Sequence, residues 1–328
     1  PYTMKLLKIC IYSLQLLLLN LLVFQACSDE FEKSSPVRSS EISIEFRVPG
    51  QSSDNTRGLT KENESRVNDL IALAFDDAGN FLYKSEARLI DNGSGGNLTT
   101  CYISLESGDC DLMFFANCKS IIESFTIPAD ATKESFRNGL TIALSGRWNT
   151  GSNFTPLPMW GERKGIKIVP DMTIKGADAV HLVRAVAKVD VTIDRTKIPK
   201  ATLSLKKVFF YHCSSSSHII PDGNVWDDVN YKVTGVSSGS GAYTTDEHAT
   251  EYTSTDWDTD GFLTNAIYVP ETPAGEENNV PVTPSLVLET EYQGSSHWFR
   301  VDFLDDAKAF LPLLRNYRYE VKITGVSG

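Results

Sequence analysis

Glu41-Ile42-Ser43-Ile44-Glu45-Phe46-Arg47-Val48 decides how the rest of the chain is read. Apolar and polar residues alternate without a break. That period of two puts Ile42, Ile44, Phe46 and Val48 on one face of an extended segment and predicts a half-buried strand. Pro49-Gly50 stops it. The same pattern recurs downstream. Val183, Ala185, Ala187, Val189, Val191 and Ile193 share one face of a predicted long strand; Arg184, Lys188, Asp190, Thr192 and Asp194 share the other. Tyr317, Tyr319, Val321 and Ile323 alternate with Arg318, Glu320, Lys322 and Thr324. Residues 67–75, 203–212, 262–269, 285–292 and 298–303 also read as strands, and residues 101–105 and 112–117 as a hairpin about Ser107-Gly108-Asp109. Only residues 132–138 suggest a helix. Short strands between Gly, Asn and Ser turns argue an all-β architecture.

The chain has 328 residues, which at roughly 150 per domain suggests two sandwiches. Asp and Glu number 42 against 31 Lys and Arg, a net charge of −11. That balance offers no basic stripe for phosphates, so nucleic acid is excluded as a partner. We divide the sequence into a leader at 1–26, a Ser-rich linker at 27–40, and β-sandwich domains at 41–195 and 196–328. The boundary rests on the charge cluster and Pro199.

The leader is apolar from residue 9 to residue 24 and follows Lys5 and Lys8, with Met4 the expected start. The run falls short of the roughly 20 apolar residues that a spanning helix needs and fits a signal peptide. It ends Phe24-Gln25-Ala26-Cys27, which resembles the lipobox of bacterial lipoproteins, so Cys27 is the expected lipidation site. The acidic Ser28-Asp29-Glu30-Phe31-Glu32 that follows resembles a surface-export signal of Bacteroidia lipoproteins. A tether to the outer membrane through this lipid is the expectation.

Little in the body points to chemistry. Asp256, Asp258, Asp260 and Gly261 match the opening of a calcium loop, but Ile267 stands where a bidentate Glu is needed. His212, Cys213 and His218 match no common zinc spacing. Cys101 and Cys110 face each other across the predicted hairpin and are candidates for one disulfide, with buried free thiols the alternative. No nucleophile, zinc-protease or phosphate-loop motif occurs, so no catalysis and no cofactor is expected.

Several segments in order resemble the fimbrillin family, the type V pilus subunits of Bacteroidia. They are the lipobox; Thr56-Arg57-Gly58 ahead of Ala74-Phe75-Asp76-Asp77-Ala78-Gly79; Pro158-Met159-Trp160-Gly161-Glu162; Leu182-Val183-Arg184-Ala185-Val186-Ala187-Lys188-Val189; Tyr268-Val269-Pro270-Glu271; and Leu314-Arg315-Asn316-Tyr317-Arg318-Tyr319. The resemblance implies two tandem transthyretin-like β-sandwiches, a place in the fimbrium at the cell surface, and adhesion. Other pilus subunits would be the partners. It also implies a mechanism. A trypsin-like protease cuts the loop after the first strand, at Arg57 or next at Arg66. The strand carrying Ile42, Ile44, Phe46 and Val48 then leaves, and a strand from another subunit fills the groove. The chain stops at Gly328, where shaft subunits of the family carry a further donor segment. A surface glycan-binding lipoprotein is the competing reading, with Trp148, Trp160, Trp226, Trp257 and Trp298 as candidates for a sugar platform.

Overall fold

The computed structural model describes residues 39–48, 61–90, 98–151, 153–237, 249–276 and 283–326. Residues 40–328 form one compact unit. Eleven strands come first: β1 (Ser39–Arg47), β2 (Leu70–Phe75), β3 (Phe81–Glu86), β4 (Arg88–Leu89), β5 (Leu98–Glu106), β6 (Gly108–Ala116), β7 (Thr141–Ala143), β8 (Met159–Ile168), β9 (Thr173–Ile174), β10 (Val180–His181) and β11 (Val183–Arg184). Three short helices punctuate them: α1 (Lys61–Glu64), α2 (Lys119–Ser124) and α3 (Lys133–Gly139). Then follow β12 (Val186–Ile193), β13 (Leu203–Tyr211), β14 (Ser216–His218), β15 (Trp226–Asp227), β16 (Lys232–Val233), β17 (Thr250–Thr253), β18 (Leu263–Pro270), β19 (Ser285–Tyr292), β20 (Ser295–Asp302) and β21 (Arg318–Ile323). The fold is all-β, as the alternation predicts.

Two sheets make the first sandwich. One runs β10-β1-β5-β4, with β9 also on β1; the other runs β11-β8-β6-β2-β3. Between them lie Ile42, Ile44, Phe46 and Val48 of the first segment, with Ile103 and Leu105 of β5 and Leu112 and Phe114 of β6. The second sandwich packs β18-β12-β21 on β17-β13-β19-β20 around Val189, Val191, Val208, Phe210, Leu286 and Leu288. A third core covers the outer face of β2, β6 and β8. It takes Ile71, Leu73, Phe75, Phe115 and Trp160, with Phe136 of α3, the loop residues Ile219 and Ile220, and Tyr268 of β18. Strand β2 is therefore buried on both faces, which is why Leu70–Phe75 is an unbroken apolar run rather than an alternating one.

Local chemistry sets the connections. The β2–β3 hairpin closes on Asp76, whose carboxylate accepts from Asn80 N at 2.8 Å while Gly79 takes a positive φ. Helix α3 starts where Thr132 and Ser135 cap one another. The expected hairpin between residues 101–105 and 112–117 is a correction: β5 and β6 lie in opposite sheets, and the chain turns the corner at Gly108, with φ +144. Both strands aim alternate residues into the same core, so a period of two fits a corner as well as a hairpin.

The predicted long strand from Val183 is two strands. β11 pairs with β8 of the first sandwich, and β12 pairs with β18 and β21 of the second. Ala185 sits between them, its N–H on the carbonyl of Pro158 at 2.8 Å. Sheet membership thus changes at Ala185.

Candidate functional site

Strand β1 is not an edge. β5 flanks it on one side, and β9 and β10 run parallel to it on the other, with Ser43 opposite Thr173, Ile44 opposite Ile174 and Phe46 opposite Val180. Ile42, Ile44, Phe46 and Val48 point into the sandwich, none more than 4% exposed. Phe46 meets the edge of Phe114 at 5.0 Å between ring centroids. At roughly 1.5–3 kcal/mol per side chain, their burial is the main hold on this strand beyond its ladders. Polar side chains add Arg88 on Glu41 at 3.0 Å and Arg47 on the Gly176 carbonyl at 2.9 Å.

The chain next described is α1. Arg57 and Cys27 lie outside the described residues. Arg66 lies within them and is tied down: its carbonyl accepts from Asn117 Nδ2 at 2.8 Å, and its guanidinium stands over the Phe154 ring. The same Asn117 nitrogen bridges to the Leu157 carbonyl, also at 2.8 Å. A protease needs an extended, accessible backbone, so Arg66 is poorly placed as a cut site.

Glu64 ends α1 in a buried ionic cluster. Lys188 Nζ donates to Glu64 Oε1 at 2.7 Å, and the Tyr268 hydroxyl donates to the same oxygen at 2.5 Å. Arg184 Nε donates to the Glu64 carbonyl at 3.1 Å. Burial alone would raise the Glu64 pKa, but Lys188 and Arg184 hold it below the ordinary carboxylate range. Behind it, fully buried Asp190 accepts from Arg318 Nε at 2.6 Å and from the Asn265 N–H at 2.8 Å. Arg184, Lys188 and Asp190 are thus buried. α1 and the neighbouring strand β18 supply the partners that cover the polar face of the predicted strand.

A second buried pair sits nearby. Arg315 Nε and Nη2 grip the Glu271 carboxylate at 2.8 and 2.6 Å, and its Nη groups also donate to the His218 and Ile219 carbonyls. Asn316 Oδ1 accepts from the Arg184 N–H at 3.4 Å. Glycine is needed at 161: a Cβ there would stand 2.5 Å from the His181 carbonyl oxygen. Of the segments singled out in the sequence, those at 158–162, 182–189, 268–271 and 314–319 therefore converge where the sandwiches meet. They are joined there by Glu64, a residue that no spacing rule selects.

The other candidates fall apart or are absorbed. Cys101 and Cys110 are free buried thiols on opposite sheets, the second of the two states left open by the sequence. Burial pushes the Cys101 thiol up to about 12 and that of Cys110 up to about 11. Asp256 pairs with Arg147 at 2.5 Å, and Asp258 accepts from Asp260 N, Phe262 N and the Thr264 hydroxyl, so these carboxylates close a turn instead of converging on a cation. Among the described residues, no three of His, Cys, Asp or Glu group as metal ligands. Trp148, Trp160 and Trp257 are buried and Trp226 is half-buried; Trp298 is 57% exposed. Among the same residues, no helix is long and apolar enough to cross a membrane.

Comparison with known proteins agrees with this geometry. Residues 41–183, from β1 to β11, match the family described as major fimbrial subunit protein (FimA). The tip fimbrial protein Mfa3 from Porphyromonas gingivalis, solved with a C-terminal truncation, aligns at a TM-score of 0.54 and 16% identity, covering 88% of this chain and 96% of that one. A fimbrial assembly protein from Parabacteroides distasonis aligns at 0.50 and 16%, covering 87% and 91%. At such identities the likeness speaks for the fold. No curated protein matches the sequence. Through residues 41–183, the segment that carries β1 and the strands around it, this chain is similar to the family of major fimbrial subunit proteins.

Proposed function

We propose that this chain is a structural, non-catalytic pilus subunit, exported as a lipoprotein on Cys27 and assembled by strand exchange at the β1 groove. The observation that supports this reading most is the position of β1. It is an inner strand held by four apolar plugs and followed in sequence by the segment that contains Arg57. Its removal would open two strand edges and an apolar trough together, a surface that strongly favours a replacement strand. The two sandwiches act as two domains meeting at Ala185, and the lipid places the precursor at the outer membrane. Other subunits are the partners, and adhesion is the output.

Trypsin treatment of the purified precursor tests this reading. N-terminal sequencing should give a chain beginning at Gly58, and native mass measurement should show ladders that resist SDS. A chain that stays intact and monomeric would overturn strand exchange and favour an anchor or a glycan binder. The second of these keeps one observation in its favour: Trp298 is exposed and stacks at 30° on Phe209, with 5.8 Å between ring centroids.

A further inference from the structure

Lys188, Asn265 and Glu64 hold chemistry that strand exchange does not use. Lys188 stands on β12 and Asn265 on β18, its antiparallel neighbour. Both are out of water, with Lys188 8% and Asn265 1% exposed. The β12–β18 register slips between Val189 and Val191, and Asn265 lies in that bulge with φ +54. A left-handed, non-glycine residue inside a strand persists only where its surroundings over-determine it, and bulges re-aim side chains at functional sites. Here Asp190 holds the Asn265 N–H at 2.8 Å, and Lys188 Nζ donates to Asn265 Oδ1. Glu64 Oε1 lies 2.7 Å from the same Nζ. An amine, a carboxamide and a carboxylate meet in a dry site.

We propose that Lys188 and Asn265 join in an intramolecular isopeptide bond, with Glu64 carrying the proton. Attack requires one Nζ proton to pass to Glu64 Oε1, which lies 2.7 Å away. The Nζ lone pair attacks Cγ of Asn265. The Nζ–Cγ bond forms and the Cγ–Nδ2 bond breaks. Glu64 returns this proton to the departing nitrogen, the attacking Nζ gives up its second proton to the same nitrogen as the tetrahedral centre collapses, and ammonium leaves with the Glu64 carboxylate restored. Nothing is oxidised or reduced, and no cofactor takes part. Groups held in this way react at effective molarities on the order of 10⁵ M or more, so no external catalyst is required. Arg184 Nη2, 4.0 Å from Glu64 Oε2, still balances the carboxylate once Lys188 has lost its charge. The bond is independent of strand exchange, and either can occur without the other.

Denaturing mass measurement and peptide mapping of the wild-type protein read the bond directly. The expected chain is lighter than its sequence by one ammonia. Trypsin should yield a branched species joining residues 185–195 to residues 233–300, uncut after Lys188. Glu64→Gln and Asn265→Ala should each restore the full mass in chains whose circular dichroism remains native. A wild-type chain at full sequence mass, cut after Lys188 once unfolded, overturns the proposal whatever the variants do. Loss of ammonia without the branched species overturns it equally.

Discussion

Single residues show how far burial changes chemistry. The thiols of Cys101 and Cys110 are pushed up to about 12 and about 11 from an ordinary 9.0, because a thiolate in an apolar core has no hydration. At pH 8 the native protein should therefore leave these two side chains unalkylated by iodoacetamide over hours, and denaturant should expose both at once. The linkage has a definite sign. A raised pKa in the folded state gives stability that is full below 9.0 and is lost as pH climbs past it, since only the unfolded chain ionises there. Alkaline titration followed by intrinsic fluorescence should show the midpoint of urea unfolding falling between pH 9.0 and about 11, and Cys101→Ser with Cys110→Ser should flatten that fall. Reaction of these thiols in the native state at pH 8 would contradict the core described. Sequence alone leaves a buried pair of cysteines open between bridge and free thiol, because pairing depends on which sheet each strand joins.

Elements were legible to the degree that one face alone was buried. β1 and β21 alternate cleanly, and their positions follow from that pattern. β2 does not alternate, and its second buried face becomes visible only when α3 and the loop at Ile219 are placed against it. β5 and β6 alternate yet form no hairpin, because the pattern reports which way side chains point and not which strand they pair with. For the same reason the covered polar face of β12 was invisible: its partners come from α1, far away in sequence. The value of β1 can be measured directly. Phe46→Ala removes a fully buried ring in contact with Phe114 and should cost about 3–5 kcal/mol in urea unfolding. It should also speed release of the strand after cleavage. A loss under about 1 kcal/mol would mean that ladders rather than plugs hold the strand.

At the scale of the whole molecule, length and composition say nothing of how the sheets are joined. The third core draws on β2, β6, β8, α3 and β18 together, and the Glu64 and Glu271 clusters tie segments of the first sandwich and its following loops to β12, β18 and the approach to β21. Two sandwiches that share a core and two buried ionic clusters should melt together. Scanning calorimetry of the uncut chain should give one transition, with calorimetric and van't Hoff enthalpies in agreement; two resolved peaks would show that the sandwiches unfold separately.

The ladder beside β1 carries one more consequence. Its partners β9 and β10 run parallel to it, so a strand that restores those bonds must enter with the same N-to-C direction. A groove with a built-in arrow accepts its neighbour from one end only. A reciprocal exchange between two copies would have to supply both strands in that same direction. The direction of any strand seated at β1 is therefore set by residues 173–174 and 180–181, which line that side of the groove.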